Sequence, residues 1–153
     1  MKRKRLNFKP IAIILIIIIG SYVIFNVLHD SPEDQAKETV NEFLQNEQEG
    51  DFSDSWKSLH SLIHDRFSQA DYIKQRSAFY KETLEVDSFD YNIIDVDHLD
   101  QWRMTEQSNF LSDVYKITVK QMVSSTFGEM TIRQDYFVSQ DKEGEWKIIW
   151  SFK

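Results

Sequence analysis

The chain of 153 residues has room for one domain of ordinary size and little more. Its 25 acidic and 18 basic residues leave a net charge of −7, and it contains no cysteine, which excludes disulfide frameworks, thiolate catalysis and Cys-ligated zinc. The charge is unevenly spread: five cations precede the first apolar run with no acid among them, and from Asp30 onward 13 basic residues stand against 25 acidic ones, a net of −12. A surface of that sign repels phosphate backbones, so nucleic acid is not an expected partner, and it disfavours docking on an anionic membrane face.

The first segment, "KRKRLNFKPIAIILIIIIGSYVIFNVL", is a basic head followed by an apolar run from Ile11 to about Leu28. Those 18 residues make roughly 27 Å of helix, close to the hydrocarbon thickness of a bilayer. Isoleucine and valine are poor helix formers in water, but in lipid the backbone has no other way to satisfy its hydrogen bonds. The run is longer than a signal-peptide core, and around "NVLHDSPEDQA" the small residues that a peptidase requires are missing. Only Gly20, Ser21 and Asn26 interrupt it, too few for the polar stripe of a soluble helix. The expectation is an uncleaved single-pass anchor: residues 1–9 as a cytoplasmic head, 10–29 as the membrane span, and 30–153 outside, because the cluster of positive charge stays in the cytoplasm.

The outward part begins with a helix over "SPEDQAKETVNEFLQNEQEG". Ser31 suits its N-cap, Pro32 its first turn, and Glu33 and Asp34 the positive end of its dipole. Ala36, Val40, Phe43 and Leu44 share one face, and Gly50 is the expected stop. A second, short helix is expected in "DFSDSWKSLHSLI", with Phe52, Trp56 and Leu59 as its apolar stripe. A third opens at "FSQADYIKQRSAFYKETL", where Ser68 and Asp71 resemble a capping box flanked by Phe67 and Tyr72 as a staple.

After Leu84 the apolar period shortens from about 3.6 to about 2. Phe89, Tyr91 and Ile93 form one row; Tyr115, Ile117 and Val119 form a second, with Lys116, Thr118 and Lys120 opposite. Met130, Ile132, Tyr136 and Val138 form a third, against Thr131, Arg133 and Asp135. In "EGEWKIIWSFK", Trp146, Ile148, Trp150 and Phe152 are expected to point one way and Lys147, Ser151 and Lys153 the other, as a last strand with which the sheet ends. Gly128 and "DKEGE" supply hairpin-like connections. His98 to Asn109, around Trp102, fits either a loop or a short extra strand. The class is therefore α+β, with about three helices covering the apolar face of an antiparallel sheet of about four strands.

That order of elements resembles the NTF2-like (cystatin-like cone) fold, and more narrowly the NTF2-like N-terminal domain of class B penicillin-binding proteins. The resemblance rests on "EQEGDFSDSWKSLH", "FSQADYIKQRSAFYKETLEVDSFDYNI" and "GEWKIIWSF", and spans residues 32–153 together with the preceding anchor. It implies a curved sheet and a place in the bacterial cell envelope. It does not carry over transpeptidation, since the sequence has no K-T-G element and no counterpart of the catalytic domain. The inner-membrane component of conjugative transfer channels is an alternative resemblance, sharing a short head, one span and an NTF2-like domain. The basic head, isoleucine-rich anchor and lack of cysteine suit a low-GC Gram-positive envelope.

Candidate chemistry is sparse. His60 and His64 have the four-residue spacing of a helical zinc pair, but Ser61 stands where a zincin has glutamate and no third ligand is evident, so capping or exposed histidines are expected. Asp95, Asp97, His98 and Asp100 crowd "DVDHLD" without the glycine and the downstream bidentate glutamate of a calcium loop, which reads as a solvated strand end. No metal or other cofactor is expected. Three polar residues fall in apolar registers. With uninterrupted alternation Asp95 continues the inward row of Tyr91, Gln121 follows Val119, and Gln134 interrupts Ile132 and Tyr136. As the resemblance implies, a cone pocket would be lined by Asp95, Tyr91, Gln121, Gln134 and Tyr136, with a buried aspartate as base; a bulge, or a strand end open to solvent, is the plainer alternative. Trp56, Trp146 and Trp150 fall on core registers, and Trp102 is the one expected at the surface. The function expected is a non-enzymatic interaction module with an envelope protein as partner; a small tethered enzyme or pocket binder is the competing expectation.

Overall fold

The computed structural model describes residues 31–126 and 128–152. The expected head and span, with Ile11–Leu28, lie outside the described residues, as does Lys153. Among the described residues no helix is long and apolar enough to cross a membrane. From Glu33 onward the chain forms one compact unit. It is an α+β arrangement of α1 (Pro32–Glu49), α2 (Phe52–Lys57), α3 (Ser61–His64) and α4 (Gln69–Ala78), then a π-helical turn over Phe79–Thr83 and four strands. These are β1 (Asp90–Trp102), β2 (Leu111–Ser125), β3 (Gly128–Gln140) and β4 (Trp146–Ile149), in the antiparallel order β1-β2-β3-β4.

Local chemistry explains the helix boundaries. In α1, Ala36, Val40, Phe43 and Leu44 are buried as their spacing requires, and Gly50 takes φ +77° just past the last turn, a conformation that costs glycine nothing. Asp51 caps α2 by accepting from the Asp54 amide at 3.1 Å. Ser68 caps α4 through the Asp71 amide. The expected capping box is modified, since the Ser68 hydroxyl donates to the Asp71 carboxylate at 2.7 Å. The single short helix expected after Asp51 is two, α2 and α3. Between them the chain runs extended beside β4, where the His60 amide donates to the Ile148 carbonyl and the Ile148 amide to the Ser58 carbonyl.

The sheet follows the expected alternation through most of its length, with three departures. Between Ile93 and Asp95 the β1–β2 register slips by one residue: Ile93 faces Val119, Asp95 faces Thr118, and Ile94 is extra. A one-residue bulge of this kind moves everything beyond it to the other face. Ile94 is left exposed, and Thr118, expected to be a solvated outer residue, is buried and donates to Asp135 at 2.7 Å. Second, β1 takes in the first half of the ambiguous stretch, and Trp102, expected at the surface, is half-buried, its ring 4.1 Å from that of Phe137. Third, β4 ends at Ile149, and both Ile148 and Ile149 are buried, so the expected alternation out to Phe152 is not kept. Ile149 lies opposite Phe137 in the strand pair, and both belong to the hydrophobic core.

The two isoleucines Ile148 and Ile94 should separate cleanly in urea denaturation. Ile148→Ala is expected to cost about 2–5 kcal/mol through the cavity left behind, whereas Ile94→Ala on the bulge should change stability by no more than about 0.5 kcal/mol. Equal losses would contradict the bulge.

Candidate functional site

The inner faces of the helices converge on one carboxylate. Glu47 is 2% exposed and lies on the apolar stripe of α1, three residues past Leu44 and four past Phe43. Its Oε1 accepts from the Ser55 hydroxyl at 2.8 Å and from the Tyr72 hydroxyl at 2.7 Å. Its Oε2 accepts from Arg76 Nε at 2.6 Å and also from Arg76 Nη2. Arg76 Nη2 in turn donates to the Tyr80 hydroxyl at 3.0 Å. Tyr72, Arg76 and Tyr80 are spaced four apart, so one face of α4 and its π-turn supplies them together. Tyr80 stacks between Phe52 and Phe89, at 6.0 and 5.2 Å between ring centroids.

This network is closed. Both carboxylate oxygens are taken by charged or hydroxyl donors, two of the contacts coming from Arg76. Burial pushes the Tyr72 and Tyr80 phenols well above the ordinary tyrosine range, and the Glu47 charge adds to the effect at each, while Arg76 opposes it. Burial raises Tyr136 in the same direction.

The residues singled out from the sequence are only partly gathered. Tyr136 is buried, edge-to-face with Phe43, and its hydroxyl donates to Gln134 Oε1 at 3.4 Å. Gln121 is buried on the same inner face, and its Nε2 has no hydrogen-bond partner among the described residues. Tyr91 is half-buried and its hydroxyl reaches the Asn41 carbonyl at 3.3 Å. Asp95 does not belong with them: the bulge places it on the outer row, exposed, so it is not an inward base. Sequence reasoning missed Glu47 and Arg76, though each had a signal, an ionisable residue in the register of a buried helical stripe.

The histidine and aspartate motifs resolve as structure. His60 caps α3, its Nδ1 accepting from the Leu62 amide at 3.1 Å, and burial lowers its pKa, which keeps that lone pair free. His64 stacks on Trp56 at 4.2 Å and its Nε2 lies 3.1 Å from the Trp56 carbonyl. Asp97 pairs with Lys116 at 2.9 Å, and exposed His98 lies 3.6 Å from Asp113 and 3.9 Å from Asp100. Among the described residues no group of three or more His, Asp or Glu side chains is placed to hold a metal. An S-x-x-K element, not expected from the sequence, is present with Ser139 and Lys142 at its ends. They sit at the end of β3 and in the following turn, Ser139 buried and Lys142 exposed, rather than on a helix that would bring lysine beside serine.

No protein-family model matches the chain, and a search of curated proteins finds no match either.

Removing one partner of the buried ion pair leaves the other uncompensated. Glu47→Gln or Arg76→Gln should each cost about 3–5 kcal/mol in chemical denaturation, while the paired change Glu47→Leu/Arg76→Met should cost clearly less than the sum. The raised phenols set an alkaline limit. Their folded pKa exceeds the unfolded value, so their contribution is complete below about pH 10 and is lost as pH rises above it. In a titration followed by tyrosinate absorbance, Tyr72, Tyr80 and Tyr136 should ionise only with unfolding. Their ionisation in the folded protein at the ordinary pH would contradict their placement.

Proposed function

We propose that the chain is a single-pass, membrane-anchored module of the bacterial cell envelope. Its NTF2-like cone lies outside the membrane and recruits an envelope protein without catalysing a reaction. The observation that carries this reading is the closure of the Glu47 network. A carboxylate that accepts from Ser55, Tyr72 and Arg76 has no lone pair left for a substrate proton, and the aspartate offered by the sequence as a base lies on the outer face. The interior polar groups hold the helices on one another, which leaves recognition to the surface. The apolar run Ile11–Leu28 and its basic head support the anchor and its orientation. The order of helices followed by a four-stranded meander supports the cone. Cell-wall synthesis and conjugative transfer are the two machines that such a module fits.

A second reading has one observation in its favour. The orphaned Gln121 amide shares the inner face with Gln134 and Tyr136, and a buried donor without an acceptor is what a pocket ligand would satisfy.

Two measurements check the proposal. Because the chain has no cysteine, Lys4→Cys and Glu143→Cys give clean single labels. In whole cells a membrane-impermeant maleimide should modify the second and spare the first. Crosslinking of the full-length protein in intact cells should then capture a reproducible envelope protein, lost when residues 30–153 are exchanged for another domain. Labelling of Lys4→Cys with protection of Glu143→Cys would overturn the topology, and a partner that survives the exchange would overturn the role of the domain.

A further inference from the structure

The described part of the chain is strongly acidic, and two arginines outside its printed ion pairs share one cleft. Residues 30–153 contain four arginines, Arg66, Arg76, Arg103 and Arg133. Arg76 is committed to Glu47. Among the described residues neither Arg66 nor Arg103 has a carboxylate within ion-pair distance, and both line one cleft of about 750 Å³.

Three separate segments build this cleft: the turn after α3, the β1–β2 connection, and the residues after β4. The Phe152 amide donates to the Met104 carbonyl at 3.2 Å and fastens the last two to each other. Within the connection, the Thr105 amide donates to the Ser108 hydroxyl at 3.1 Å and closes a tight turn. Both guanidinium groups are held by aromatic faces. Arg66 lies 3.9 Å from the centroid of Phe152, and Arg103 lies 5.2 Å from that of Phe110, itself 60% exposed. Stacking restrains a guanidinium while leaving its N–H edge free to donate. Arg103 spends one Nη1 bond on the Glu106 carbonyl at 2.8 Å; Arg66 has no side-chain hydrogen bond to any described residue. Met104 and Phe152 add apolar surface, and Glu106 adds one opposing charge.

We propose that this cleft is an oxyanion site for a small phosphate-bearing ligand. A phosphate group carries more charge than a carboxylate and up to three terminal oxygens, which two guanidinium groups from different segments can share. The acidity of the domain as a whole opposes a polyanion and favours a compact ligand with one charged group and an apolar remainder. The site stands on the two arginines and is independent of the envelope-module reading.

The test uses the full-length protein in neutral detergent micelles, with arginine side chains followed by NMR while inorganic phosphate is added. A parallel arm places the protein in nanodiscs of phosphatidylcholine with or without phosphatidylglycerol. Saturable shifts confined to the Arg66 and Arg103 signals are expected. Arg66→Gln and Arg103→Gln should each weaken binding about tenfold. Glu106→Gln should tighten it about threefold by removing the opposing charge, and Arg133→Gln should leave it unchanged. Saturation by free phosphate assigns a soluble ligand, and a response to phosphatidylglycerol alone assigns a lipid headgroup; either supports the site. No saturable shift in either arm, or unchanged affinity in both folded single variants, each read at the arginine that remains, overturns it. An unaltered circular-dichroism melting curve verifies that each variant is folded.

Discussion

The helical layer is organised around a single buried negative charge. Glu47 comes from α1, Ser55 from α2, and Tyr72 and Arg76 from α4, so one carboxylate ties three helices together through hydrogen bonds that each donor can make in only one arrangement. A carboxylate at this depth that loses its charged partner costs about 3–5 kcal/mol. The network therefore serves as a registration device. α2 and α3 together hold few residues and have little helical stability of their own, so they depend on such contacts.

Aromatic rings fill the helical layer and its contact with the sheet, beside polar contacts such as the Tyr91 hydroxyl on the Asn41 carbonyl. Tyr80 stacks on Phe52 and Phe89, Phe43 meets Tyr136 edge-on, and Trp56 packs against Tyr72. Large rings with few rotatable bonds fill the space between a helix and a sheet at low entropic cost. The bulge at Ile94 then divides the sheet into two chemical regions. On one side of it the inner row carries Tyr91 and Ile93, and beyond it the acidic residues Asp95 and Asp97 turn outward to meet Thr118 and Lys116 across the strand pair. The same slip that removes an interior base thus places Asp95 and Asp97 on the outer surface.

Particular residues show how far pattern reading reaches. Ala36, Val40, Phe43 and Leu44 announced α1 because helical spacing and burial are the same statement. Ser68 announced the start of α4 because capping is a local hydrogen bond. Tyr136, Gln121 and Gln134 were correctly drawn to the inner face of their strands, since β2 and β3 pair without interruption there. Asp95 was not, because a bulge depends on both strands of a pair and leaves no mark in one of them. Glu47 and Arg76 fall in the registers of buried helical stripes, but their pairing joins positions 29 apart in sequence and has no local pattern.

The sequence by itself determined the class of the domain, the order of its elements, the helix caps and most strand faces, because these follow from interactions within a few residues of one another. The basic head and apolar run are likewise local properties of composition, and they carry the membrane reading. Tertiary structure alone decided which polar groups are buried as partners, which strand slips by one residue, and which arginines share a cleft. Each of those depends on pairing between distant segments, where burial and charge act through space and the period of a single segment holds no information.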